Sequence, residues 1–212
     1  MPAAASSFDQ SSYQVRFEWG ASGLARLAPS DIVVVVDVLR FSSTVIQAVE
    51  RGEDVALDGA AHAVSINGAS VAAAATGLVV LGGLRNAAAI ARAVLAEQER
   101  RGVRTSIAVI ACGERTSRDP DAPVRFAVED LLGAGAVIAA LADLGVDHSS
   151  PEAAVAGEGF RALRGAAKHL LTASGSGREL DAAGARDEVL AAAAVDAASV
   201  VPVLRDGVFT AL

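Results

Sequence analysis

The chain has 212 residues, a formal net charge of −7 and a single cysteine, enough length for a substantial core but few of the marks of several functional classes. The acidic balance argues against a general nucleic-acid binder, which needs a basic face to displace counterions, and lone Cys112 excludes an internal disulfide or a Cys-rich zinc site. The opening MPAAASSFDQSS lacks an apolar signal region and the longest apolar runs are broken by Gly, Arg or Asp, so a soluble cytoplasmic protein without membrane spans is expected.

In chain order, residues 1–12 read as a loose tail and 13–212 as a single α/β domain. YQVRFEWG alternates as an edge strand does, and ASGLARLAPS is a short helix or loop. IVVVV, Ile32 to Val36, is a continuous β-branched run too short for an ordinary helix, which suits a central strand covered on both faces. Val45, Ile46 and Val49 then fall on one helical face, with Ser42 or Ser43 as the expected N-cap and Gly52 as the end. The strand–loop–helix pattern recurs in LVVLGG with RNAAAIARAVLAEQERRG, and in TSIAVIACGE with AVEDLLGAGAVIAALADLG. These units predict a three-layer α/β/α fold with a mixed, partly parallel central sheet. The last third predicts one or two helices from Pro151, a Gly/Ser loop at SGSGRE, a further helix, and a closing strand at VVPVL with a turn at Asp206-Gly207.

Ligands in such sheets sit beyond the carboxyl ends of the strands. There the sequence places Asp37, Arg40, Ser42 and Ser43, then Asn67 and Gly68 in SINGAS, Asn86, Glu114 and Arg115, and Glu129 with Asp130 at the start of a helix. Carboxylates mixed with Arg, Asn and hydroxyls suit Mg²⁺ and an anionic substrate. The same residue types also cap helices and form turns. Arg40 is harder to assign to structure alone, because an arginine just past a buried strand needs a partner or an anion, and Asp37 is a candidate partner within the protein.

Cys112 to Arg118 satisfies C-x5-R, the spacing of cysteine phosphatases. Glu114 inside that loop opposes both a thiolate and a phosphate, and Ala111 stands where those enzymes usually carry histidine. His62, His148 and His169 lie in dissimilar contexts without metal-ligand spacing and read as surface or loop residues. GSGRE, Gly175 to Glu179, is a candidate phosphate-cradling loop. No P-loop, dinucleotide fingerprint or G-x-S-x-G elbow is present.

Taken in order, VVVDVLRFSST, INGAS, GGLRNAAAIA, ACGER, AVEDLLGAGAVI, SGRELDAAG and VPVLRDG resemble the 2-phosphosulfolactate phosphatase family, and VRFEWG is similar to its bacterial, actinobacterial-type members. The resemblance runs from about Val15 to near the end. It implies an α/β, Mg²⁺-dependent phosphatase that converts 2-phosphosulfolactate to sulfolactate and phosphate on the way to coenzyme M. Carried onto this chain, it implies a site containing Asp37, Arg40, Asn67, Gly68, Asn86, Glu114, Arg115, Glu129, Asp130 and the Ser176 to Glu179 stretch, including Arg178. Two departures stand out. Only EDVALDGAAHAVS fills the interval before INGAS, where the family carries a longer segment, so a shortened or omitted segment near 58–66 is expected. The hydroxyl-rich TTTNGT form is thinned to SINGAS.

The expected division of labour follows. Asp37, Glu129 and Asp130 hold Mg²⁺, Arg40 and Arg115 take anionic groups, and Glu114 is a base toward water, unless Asp37 itself attacks phosphorus. Ser42, Ser43, Asn67, Gly68, Asn86, Ser176 and Arg178 contact the substrate. A non-catalytic anion-binding or assembly role, or a cysteine-dependent phosphatase, are the alternatives. The expected partner is a small phosphorylated anion, with neither nucleic acid nor membrane, and the Ala-rich helices suit a homodimer.

Overall fold

The computed structural model describes residues 6–59, 61, 65–117, 119 and 122–212. In chain order its elements are β1 (Val15–Trp19), α1 (Gly20–Arg26), β2 (Ile32–Val36), α2 (Phe41–Glu50), β3 (Val55–Ala56), α3 (Gly68–Ala74), β4 (Leu78–Leu81) and α4 (Ala87–Arg101). There follow β5 (Ile107–Ala111), β6 (Glu114–Arg115), β7 (Val124–Arg125), α5 (Val128–Asp143), α6 (Pro151–Leu163), α7 (Ala167–Ala173), α8 (Gly175–Ala182), α9 (Arg186–Ala192), β8 (Pro202–Arg205) and β9 (Val208–Ala211).

The main sheet has seven strands in the order β1-β5-β2-β4-β8-β9-β3. The first four are parallel, with Val34 facing Val109 on one side and Val80 on the other, and β8, β9 and β3 pair antiparallel. All five residues of β2 are buried. Its side chains alternate between two cores: Ile32, Val34 and Val36 pack with α4, α5 and α6, whereas Val33 and Val35 pack with α2, α3 and Phe209. That alternation makes the three-layer α/β/α architecture, and VRFEWG is its edge strand, as the sequence predicts. Asp206 and Gly207, both at positive φ, turn the β8–β9 hairpin.

The Gln10 side chain donates to the Phe17 carbonyl at 2.9 Å and accepts the Phe17 N–H at 3.0 Å, covering the free edge of β1. The structure corrects two local expectations. Gly175 to Glu179 is helical, capped by Ser174, whose hydroxyl oxygen accepts the Gly177 N–H at 3.0 Å. Ser42 and Ser43 lie inside the first turn of α2, which follows Arg40 directly without a side-chain cap. His62 and Arg118 lie outside the described residues.

Candidate active site at the carboxyl ends of β2 and β5

Strands β2 and β5 are neighbours, yet their following helices pack on opposite faces of the sheet, α2 on one and α5 on the other. A crevice opens at such a switch point. Here it forms a cavity of about 510 Å³ lined by Asp37, Leu39, Arg40, Ser65, Ile66, Asn67, Glu114, Arg115, Ser117, Ser176, Glu179, Leu180 and Ala183. Residues more than a hundred positions apart in sequence converge here because β2 and β5 end side by side.

Asp37 closes the floor. Its Oδ2 accepts the Ser65 hydroxyl at 2.6 Å and the Gly68 N–H at 2.9 Å, while Oδ1 receives only a long contact from the Phe41 N–H at 3.4 Å. The carboxylate thus stands between the N-termini of α2 and α3, where an anion is favoured. Burial nevertheless raises its pKa. The three hydrogen bonds work against that rise, and repulsion from Glu129 adds to it.

Asp130 lies behind Asp37 and is used by the backbone. Its Oδ1 accepts the Val38 N–H at 2.7 Å and its Oδ2 the Gly113 N–H at 2.8 Å, so one carboxylate straps together the segments that follow β2 and β5. Burial, then Asp37 and Glu129, push its pKa well above the ordinary carboxylate range. Glu129, also buried, accepts the Ser176 hydroxyl at 2.5 Å. Among the described residues no group of three or more His, Cys, Asp or Glu side chains is arranged to hold a metal ion. Of the expected ligand set of Asp37, Glu129 and Asp130, Asp130 spends both oxygens on main-chain donors.

Glu114 faces the cleft and is lightly held. Asn67 Nδ2 reaches its Oε1 at 3.4 Å and the Ser176 hydroxyl lies 3.4 Å from its Oε2. Partial burial, Asp37 and Glu129 raise its pKa. Arg115, half-buried beside it, makes no ion pair among the described residues. Arg40 pairs with Glu188 at 3.0 Å.

Several expected substrate contacts make hydrogen bonds within the scaffold. Asn86 is wholly buried: its Oδ1 accepts the Gly83 N–H, and its Nδ2 donates to the Leu81 and Val200 carbonyls. The Ser42 hydroxyl donates to the Val35 carbonyl and accepts the Asp37 N–H, and the Ser43 hydroxyl donates to the Val38 carbonyl. Arg178 is exposed on α8 and is not among the cleft-lining residues. Asn67, Gly68 and Ser176 do belong with Asp37 and Glu114. Ser65, which opens the SINGAS motif, joins them as a partner of Asp37, and Glu188 beside Arg40 carries no local motif.

Cys112 is buried, and burial, with Asp37 and Asp130 nearby, raises its thiol pKa well above the ordinary value. That is the reverse of what a thiolate nucleophile needs.

One buried acceptor stands out as an indication of a ligand. Asn67 Oδ1 has no hydrogen-bond partner among the described residues, in a cleft that also presents Asp37 and Glu114. Mg²⁺ is held by hard oxygens, often only one or two carboxylates, and keeps its other positions for water and substrate phosphate. The donor set fits such an ion.

No curated protein matches the chain. The family model for 2-phosphosulpholactate phosphatase matches residues 60–207, which include Asn67, Gly68, Glu114, Arg115, Glu129, Asp130 and Ser176, while Asp37 and Arg40 precede the matched span. The chain belongs to the 2-phosphosulpholactate phosphatase family, and is thereby a phosphoric monoester hydrolase.

Proposed function

We propose that the protein is an Mg²⁺-dependent phosphatase acting on 2-phosphosulfolactate or a closely related phosphorylated 2-hydroxy acid, as in coenzyme M biosynthesis. The observation that carries this reading is the company kept in one cleft by Arg115 and Asn67 Oδ1, both without a partner among the described residues, and two carboxylates. An arginine fork takes phosphate oxygens, and hard oxygens take the counter-cation.

In this mechanism Asp37, through its lightly used Oδ1, and Asn67 hold the ion. When bound, it supplies charge neutralisation at the phosphate. Arg115 orients the phosphoryl group and draws off its negative charge. Glu114 takes a proton from a water whose oxygen bonds to phosphorus. The bond between phosphorus and the ester oxygen breaks, its electron pair stays on that oxygen as the alkoxide of the hydroxy acid, and the alkoxide takes a proton from solvent. Ser176, hydrogen-bonded to Glu129, keeps the second oxygen of Glu114 facing a polar neighbour.

Release of phosphate from 2-phosphosulfolactate, measured with Mg²⁺, with EDTA and in Cys112→Ser, tests the assignment. Metal-dependent turnover that survives the serine change is the expected result. Metal-independent turnover abolished by that change would establish the cysteine route, and no turnover by a folded, metal-supplied protein would establish a binding role.

A further inference from the structure

Arg40 borders two cavities. Besides the catalytic cleft it lines a neighbouring cavity of about 420 Å³, whose walls include Thr44 and Gln47 of α2, Arg51 at the end of that helix, and Glu188 of α9. The guanidinium is held on the α9 side by Glu188 at 3.0 Å, in an ion pair whose side chains are 40% and 48% exposed. A pair that open to water holds together by a factor of about five or less, so a carboxylate or sulfonate from solution can displace Glu188. Thr44 and Gln47 add uncharged donors on the same wall, and Arg51, which also lines it, is paired with Glu53.

We propose that this second cavity is a subsite for the acid group of the substrate remote from its phosphate, and that Glu188 sets specificity by occupying Arg40 until that group arrives. The subsite rests on the phosphatase reading. With the phosphate at Arg115, beside Asp37 and Glu114, a substrate bearing two further acids extends toward Arg40, and its distal acid exchanges with the Glu188 carboxylate. A substrate without those acids gains nothing from Arg40.

The test compares wild type, Glu188→Gln and Thr44→Glu on three phosphate monoesters with Mg²⁺: 2-phosphosulfolactate with two further acids, 2-phospholactate with one, and glycerol 2-phosphate with none. Freed of its partner, Arg40 in Glu188→Gln lowers KM for 2-phosphosulfolactate by up to about fivefold, leaving kcat and the glycerol 2-phosphate KM unchanged. Thr44→Glu, a change on an exposed position, raises KM for 2-phosphosulfolactate selectively. Variants that leave the ratio of KM values among the three esters at its wild-type level overturn the subsite. Calorimetric binding of free sulfolactate decides it without turnover: affinity raised by Glu188→Gln and lowered by Thr44→Glu supports the subsite, and affinity indifferent to both overturns it. A wild-type protein that binds sulfolactate in this manner but hydrolyses none of the esters refutes the phosphatase reading alone.

Discussion

Gly68 donates its backbone N–H to Asp37 Oδ2 at 2.9 Å, and a Cβ placed on residue 68 would lie 2.7 Å from that same oxygen and 2.6 Å from a ring carbon of Phe41. The glycine is therefore required by proximity: the start of α3 is pressed against the carboxylate on the cleft floor. Gly68→Ala should push α3 away, break the hydrogen bond and leave Asp37 misplaced. The expected cost is about 1–3 kcal/mol in stability, as for overpacking a filled core, together with a fall in kcat/KM of at least about tenfold. Chemical denaturation and steady-state kinetics on the same preparation check both. A variant with wild-type stability and turnover would remove the geometric reason for the glycine.

Asp130 offers a test of strap against ligand. Asp130→Ala leaves the Val38 and Gly113 N–H groups buried without an acceptor, at about 1–3 kcal/mol each. A loss of roughly 2–5 kcal/mol in denaturant unfolding is expected, and it should be the same in Mg²⁺ and in EDTA. A destabilisation seen only in Mg²⁺ would return Asp130 to the metal.

These two carboxylates also mark how far the sequence could be read. The five-residue run Ile32 to Val36 announced a central strand because burial on both faces leaves no place for a polar residue, and Asp37 at its end was correctly located at the cleft. What a carboxylate does once there depends on partners distant in the chain. Asp130 reads in sequence as a ligand, and the backbone N–H groups of residues 38 and 113 take both of its oxygens. Asn86 looked like a substrate contact, but one of its partners is the carbonyl of Val200. Gly175 to Gly177 carried the composition of a loop, yet Ser174 caps a helix there, and a Cβ at Gly177 would collide with the Leu171 carbonyl. Local patterns report periodicity and burial; they do not report which backbone donor reaches a side chain across the sheet.

Metal removal should couple to pH. Asp37, Asp130 and Glu114 all have raised pKa values, with burial the leading cause, so in metal-free protein they hold protons where the unfolded chain has released them. The folded state then binds more protons, and stability falls as pH rises from the ordinary carboxylate range through the raised values; on the acid side of that window the loss is absent. Other groups act in the opposite sense, among them Asp31, where burial is outweighed by hydrogen bonds from Ser106 and Arg101. The informative quantity is therefore the gain in Tm on replacing EDTA with Mg²⁺, which should grow as pH rises across the window. A gain that is flat with pH, or zero throughout, would argue that no divalent ion binds among these carboxylates.

Glu114 carries the last expectation. Both of its oxygens face donors at 3.4 Å, so unlike Asp37 it is free to change partners as a water approaches. Glu114→Gln keeps the shape and the contacts to Asn67 and Ser176 but cannot take a proton. If Glu114 is the base, kcat should fall by about 10²–10⁴-fold while KM stays within a few-fold of wild type, since the arginines that hold the substrate are untouched. Asp37→Asn should differ: losing the charge on the cleft floor weakens the hold on Mg²⁺, so part of its defect should be recovered at high Mg²⁺, whereas the Glu114→Gln defect should not. Recovery of both variants by metal would make Glu114 a ligand, and full loss in Asp37→Asn without any metal rescue would point to Asp37 as the group that attacks phosphorus.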